Sequence, residues 1–88
     1  MATHLTDRER EVVRLVSLGC TVGEAAKILQ LAPSTIDNHR TRAMAKMGVD
    51  KAALLTRVAI KRRITSLRDH LTVNEQRRSG RKNDGWNL

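Results

Sequence analysis

The stretch from Ser34 to Lys46 gathers a carboxylate at Asp37, an amide at Asn38, a hydroxyl at Thr41 and a guanidinium at Arg42. On an α-helix these positions share one face, because residues three or four apart are neighbours in space. The chemistry open to such a set is hydrogen bonding to a regular array of donors and acceptors. Base edges in the major groove of duplex DNA form such an array, with a distinct pattern for every base pair. Asn38 is able to pair bidentately with adenine. Arg42 is able to bond guanine or, from its flanking angle, a phosphate. Bond-making chemistry finds no comparable support. Neither Ser34 nor Cys20 has a His and an acid placed to activate it. His4, His39 and His70 with one Cys lack metal-ligand spacing, and no Gly-rich phosphate loop is present. No enzyme, metal or cofactor is expected.

Those groups face outward only if the other side of the helix is buried. With Ile36 set at zero on a wheel of about 100° per residue, Met47 falls at roughly 20° and Ala43 at roughly −20°, which defines the inward stripe. Ser34, Asp37, Asn38, Thr41, Arg42 and Ala45 then lie opposite, with Thr35 and Lys46 on the flank. His39 sits at the edge of the stripe and reads as a packed neutral histidine. Asp37 admits two readings. A carboxylate in the first turn favours the helix through its cap and dipole, the latter contributing about 0.3–1 kcal/mol. The same carboxylate is able to accept from a cytosine amino group and repel other bases.

Helix starts are marked by a Ser or Thr followed three residues later by an acid, the pattern of a capping box: "TDRE" (Thr6 to Glu9), "TVGE" (Thr21 to Glu24) and "STID" (Ser34 to Asp37). Asp50 is a further candidate N-cap. These signals predict helices over 7–18, 22–29 and 35–47 and a fourth from about residue 51. Gly19 and Gly48 close the first and third, and Pro33 prevents the second from continuing. A short helix, a tight turn and a longer basic helix make a helix-turn-helix. Past the fourth helix, Ile60, Ile64, Leu67 and Leu71 recur at spacings of four, three and four. They predict a helix extension over 65–72 that forms a dimer seam with Leu55 or lies on its own domain. Residues 73–88 have no apolar period and are predicted to be a basic, unstructured tail in which Trp86 stands alone.

The composition agrees. The chain has 88 residues and 40% apolar residues, with one Trp and no Phe or Tyr. It can build one small aliphatic core that hides about 60–65% of the unfolded surface. The net charge of +8 is unevenly placed: residues before Ser34 balance four basic against four acidic side chains, whereas thirteen basic and five acidic ones follow. That asymmetry implies a polyanionic partner. The lack of aromatic platforms disfavours single-stranded nucleic acid. No apolar run approaches the roughly 20 residues of a membrane span, and no signal-type segment opens the chain. A single Cys makes no internal disulfide, so a reduced, cytoplasmic setting is expected. A receiver or inducer-binding domain is not expected within this length.

At the level of motifs the chain resembles the LuxR/NarL-type DNA-binding domain. The resemblance is carried by "LTDRERE", "LGCTVGEAA", "LAPSTID", His39, "KMGV" and "AALL", which together cover about residues 5–60. It implies an all-α, four-helix domain over 4–64 whose third helix reads the major groove. It also implies dimerisation through the fourth helix and binding to paired half-sites. By position, base contacts fall on Asp37, Asn38 and Thr41, and backbone contacts on Thr21, Ser34, Thr35 and Lys46. Three residues depart from the family pattern: Asp37 stands where a basic residue is common, Gln30 where Gly is usual, and Arg40 where an apolar residue is usual. Arg40 must therefore reach outward along its stem or find an acid, for which Glu11 is a candidate. The resulting expectation is a sequence-specific regulator of transcription that binds double-stranded DNA as a homodimer. The alternative is a protein-interaction module like region four of a sigma factor, docking on RNA polymerase; "RTRAMAKM" faintly resembles that family, while "MGVDKAALL" fits the first reading better. An unspecific DNA coat driven by the basic tail is a third.

Overall fold

The computed structural model describes residues 4–81. The described residues form five helices, α1 (Asp7–Ser17), α2 (Val22–Leu29), α3 (Pro33–Met47), α4 (Ala52–Lys61) and α5 (Val73–Ser79). The predicted all-α class and helix-turn-helix are present. Two of the predicted capping boxes form in full. The Thr6 hydroxyl accepts from the Glu9 backbone N–H at 3.1 Å while Glu9 accepts from the Thr6 N–H at 2.9 Å, and Thr21 and Glu24 repeat the arrangement at 3.1 and 2.8 Å.

The third box does not form. α3 begins at Pro33, two residues earlier than expected, with Ala32 as a cap that offers no side-chain hydrogen bond. Proline needs no donor in a first turn and its ring fixes a helical φ, so it nucleates the helix ahead of Ser34. It also holds the preceding residue extended, and Ala32 has ψ 145°. Asp37 is thereby moved out of capping range. Nor does Asp50 cap α4, whose N-cap is Lys51 without a side-chain bond.

α1 is the spine of the interior. Val12 and Leu15 enter one apolar cluster with Ala25, Ile28 and Ile36, while Val13 enters a second with Ala43, Met47, Leu55 and Ala59. Val16 touches both. Small residues at Ala25, Ala43 and Ala59, all fully buried, let the helices approach closely in a core that has no Phe, Tyr or Trp among the described residues.

The predicted helix extension over 65–72 is absent. After Lys61 the chain reverses through Arg63 at φ 60°. The Ile64 N–H reaches back to the Ala59 carbonyl at 2.9 Å and the Arg63 N–H to Ile60 at 3.1 Å. This is the paired-carbonyl helix stop that glycine usually makes; here an arginine accepts the left-handed backbone at a cost of about 1 kcal/mol. The stripe Ile60, Ile64, Leu67 and Leu71 is therefore no continuous seam. Leu71 is buried among α1 and α2 residues, Ile60 and Ile64 are half-buried, and Leu67 is 75% exposed.

Part of the predicted unstructured tail is ordered. α5 carries its own capping box, Thr72 with Glu75, at 3.1 and 2.9 Å. It packs on α2. Arg14 of α1 fastens the returning segment: it donates to both Asp69 carboxylate oxygens at 2.9 and 3.2 Å, to Glu75 at 2.7 Å and to the His70 carbonyl at 2.9 Å. Burial pushes the Asp69 and Glu75 carboxyls up, but the hydrogen bonds and charge of Arg14, together with bonds from Thr65 and Thr72, leave both below their ordinary values. Arg78 donates to the Ile28 carbonyl at 3.2 Å and Arg81 to the Leu18 carbonyl at 3.0 Å, so the open C-terminal ends of α2 and α1 are each met by a guanidinium. The remainder of the tail, including Trp86, lies outside the described residues.

Candidate nucleic-acid interface

α3 turns Ile36 and Ala43, both fully buried, and Met47 into the core. Ser34, Asp37, Asn38, Thr41, Arg42 and Ala45 are exposed on its other side. The amide of Asn38 and the hydroxyl of Thr41 thus share an accessible face one turn apart, flanked by the Arg42 guanidinium. Gln30 makes the turn that presents this helix, in the left-handed conformation at φ 57° and ψ 46°. Glycine would adopt that geometry without strain.

Asp37 is held from within its own helix. Arg40 donates from Nη2 to Asp37 Oδ1 at 2.7 Å. Glu11, the acid expected beside Arg40, pairs instead with Arg8 at 3.1 Å. Residues 37 and 40 thus meet in one ion pair.

The residues expected at the DNA backbone divide into two kinds. Ser34 is exposed at the start of α3, Thr35 is half-buried beside it, and Thr21 is exposed with its hydroxyl accepting the α2 cap bond. Lys46 is already engaged. Its Nζ lies 2.7 Å from Glu9 Oε1 and 3.3 Å from the His4 carbonyl. Glu9 is only 2% exposed. Its burial raises the carboxyl, but the hydrogen bonds and charge of Lys46 with the bonds from Thr6 outweigh this and hold it below its ordinary value. The pair ties the start of α1 to the end of α3. His39 is half-buried, and its Nδ1 is buried without a partner among the described residues.

Residues 3–59 match the family described as bacterial regulatory proteins, luxR family. The chain belongs to that family. Among its luxR-type relatives, the uncharacterized response regulatory protein YgeK of Escherichia coli K12 is 37% identical over 57 residues, which are 65% of this chain and 39% of that protein. The transcriptional regulatory protein UhpA of the same organism is 42% identical over 53 residues, covering 60% of this chain and 27% of UhpA. The probable transcriptional regulatory protein NarL of Mycobacterium tuberculosis is 34% identical over 64 residues, 73% of this chain and 30% of that protein. The chain thus spans well under half the length of these relatives. No solved structure matches it.

Of the residues assigned to a luxR-type dimer seam, Leu55 is fully buried in its own domain and is unavailable to a partner. The turn at Arg63 separates Ile60 from Ile64 and Leu67, so the three do not lie on one continuous helix, although Ile60 shares a shallow groove with each of the other two. A second outward apolar surface of α4 is made by Leu54, 40% exposed, and half-buried Val58, beside Met47 and Val49 in a shallow groove edged by Arg57 and Lys61. Among the described residues no helix is long and apolar enough to cross a membrane.

Proposed function

We propose that the chain binds double-stranded DNA sequence-specifically to regulate transcription, with α3 lying in the major groove. Asn38, Thr41 and Asp37 read base edges, and Arg42 bonds guanine or a neighbouring phosphate. Thr21, Ser34 and Thr35 bond the sugar-phosphate backbone and set the register. The observation that carries this reading is the division of α3: one side is sealed into the core by Ile36, Ala43 and Met47, while the other presents Asn38, Thr41 and Arg42 exposed. Membership of a family of regulatory proteins supports it. Lys46 serves the fold through Glu9 and contributes to phosphate binding only by its residual charge.

We further propose a homodimer on paired half-sites, formed through the Leu54 and Val58 face of α4. Leu54 is a large apolar side chain left 40% exposed at the groove containing Met47 and Val49. A two-fold pair of such domains places its reading helices one DNA turn apart, about 34–36 Å, or a multiple of it.

Selection of bound duplexes from a random pool at fixed salt tests the reading. Recovery of a repeated half-site whose preference is lost with Asn38→Ala or Thr41→Val is the expected result. Retention of RNA polymerase by the chain without duplex binding would instead support the sigma-like alternative.

A further inference from the structure

We propose that Arg40 is a positioning residue for base recognition: it clamps the Asp37 carboxylate so that one oxygen is fixed toward the helix and the other is offered to a cytosine amino group. The inference rests on the groove-reading role of α3 and names a specificity determinant within it.

The geometry is local and complete. Arg40 Nη2 donates to Asp37 Oδ1 at 2.7 Å, one helical turn away. Among the described residues Oδ1 alone of that carboxylate is engaged, and the Asp37 side chain is 53% exposed on the outer face. Arg40 is anchored differently. Its wheel position lies near the buried stripe, the residue is half-buried, and its Nε is buried with no partner among the described residues. The stem thus packs on the flank of α3 and brings the guanidinium to Asp37 from the protein side, away from the groove. Such a pair between exposed groups adds little to folding. Its effects are on direction and charge.

The direction is set because a carboxylate with one oxygen held loses most of its rotational freedom, so recognition need not order it. The charge matters because an unpaired anion on a groove-facing helix is repelled by phosphates on both sides. Paired with Arg40, Asp37 stays an acceptor while that repulsion is offset. An acceptor without donors suits the cytosine N4 amino group and rejects the acceptor atoms of guanine and thymine. Asn38 beside it carries both a donor and an acceptor, so it cannot make this distinction alone.

The test uses the full chain and a duplex selected by the parent protein. Affinity for that duplex is compared with affinity for versions altered base pair by base pair, at one salt concentration, for the parent, Arg40→Ala, Arg40→Lys, Asp37→Asn and the double variant. The parent should discriminate at one C·G pair by on the order of 10-fold. Arg40→Ala should reduce that ratio to about threefold or less while leaving ratios at other positions in place. Arg40→Lys should restore most of it, and Arg40→Ala should change nothing further in an Asp37→Asn background. Should Arg40→Ala fail to fold, Arg40→Met keeps most of the stem without a donor and carries the same expectation. A ratio unmoved by loss of Arg40, or moved equally with and without the Asp37 carboxylate, would overturn the proposal. A parent that selects no sequence would remove the groove-reading role and this inference together. A parent that selects while remaining indifferent to Arg40 would remove the inference alone.

Discussion

Replacing Arg14 with alanine removes one side chain and, with it, the fastening of residues 65–81. Four hydrogen bonds between 2.7 and 3.2 Å are lost at once, three of them to the two carboxylates of Asp69 and Glu75, whose side chains are only 22% and 21% exposed. Leaving a fully buried charge without its partner costs about 3–5 kcal/mol. Here water reaches roughly a fifth of each carboxylate, so the expected cost is lower, about 2–3 kcal/mol. The loss should be local first, because Leu71, Arg78, Arg81 and the packing of α5 on α2 do not replace the bonds to Asp69, His70 and Glu75. At 1.4 kcal/mol per factor of ten, opening of the segment becomes roughly 30 to 150 times more frequent. Hydrogen exchange reads this directly: amides from Leu71 to Gly80 should lose protection in Arg14→Ala while those of α3 keep most of theirs. Acid should do the same to the parent protein. Because the Asp69 and Glu75 carboxyls are held below their ordinary values, their contribution is present above the ordinary carboxylate range. It is lost as pH falls through their lowered values. Protection of α5 unchanged in Arg14→Ala, at neutral pH and in acid alike, would refute the assignment of Arg14 as the fastening residue.

Lys46→Met leaves the buried Glu9 carboxylate with only its bond from the Thr6 N–H and should lower unfolding free energy by about 2–3 kcal/mol, less than for a fully buried pair because the Lys46 side chain is 28% exposed, measured by urea denaturation. If it instead only weakens DNA binding and leaves stability intact, Lys46 is a phosphate ligand after all. Since the Glu9 carboxyl is also lowered, its share of stability disappears below the ordinary carboxylate range, and a Glu9→Gln variant should show a flatter acid limb. Arg63→Gly and Gln30→Gly relieve left-handed backbone at φ 60° and φ 57°. Each should stabilise by up to about 1 kcal/mol, or roughly 4–8 °C in Tm for a domain of this size. Leu54→Glu should convert the proposed homodimer to monomer in sedimentation and weaken binding to paired half-sites more than to a single one; unchanged sedimentation would overturn the assignment of the interface to this face.

Much of the fold was legible because its signals are local. Capping boxes at Thr6 and Thr21 and the Gly48 stop act within a few residues, and the inward stripe of Ile36, Ala43 and Met47 follows from helical geometry alone. The outward position of Asn38 and Thr41 follows from that same stripe. Misreadings arose where one local rule outranked another: Pro33 started α3 ahead of Ser34, so the apparent box at Ser34 and Asp37 never formed. The end of α4 was hidden because arginine, not glycine, occupies the left-handed position at 63. Once that reversal was missed, Leu71 looked like part of a seam instead of a core residue. α5 carried the same signature as α2, "TVNE" beside "TVGE", but no apolar period followed it, since it is held mainly by ions and by capping of its neighbours. The pairing of Glu9 with Lys46 spans 37 positions and depends on how α1 crosses α3, which spacing does not encode. By contrast, the Asp37 and Arg40 pair sat at helical spacing and was within reach of sequence reasoning.

The guanidinium groups of Arg78 and Arg81 close helix ends that belong to the family-matched part of the chain, although both arginines lie some twenty residues past its limit at residue 59. An excision made at that limit would strip α1 and α2 of these terminal bonds and take Leu71 out of the wall beside Ile28. Such a fragment would be a looser body than its parent, and binding curves obtained with it would mix the behaviour of α3 with that of an unbuttressed scaffold.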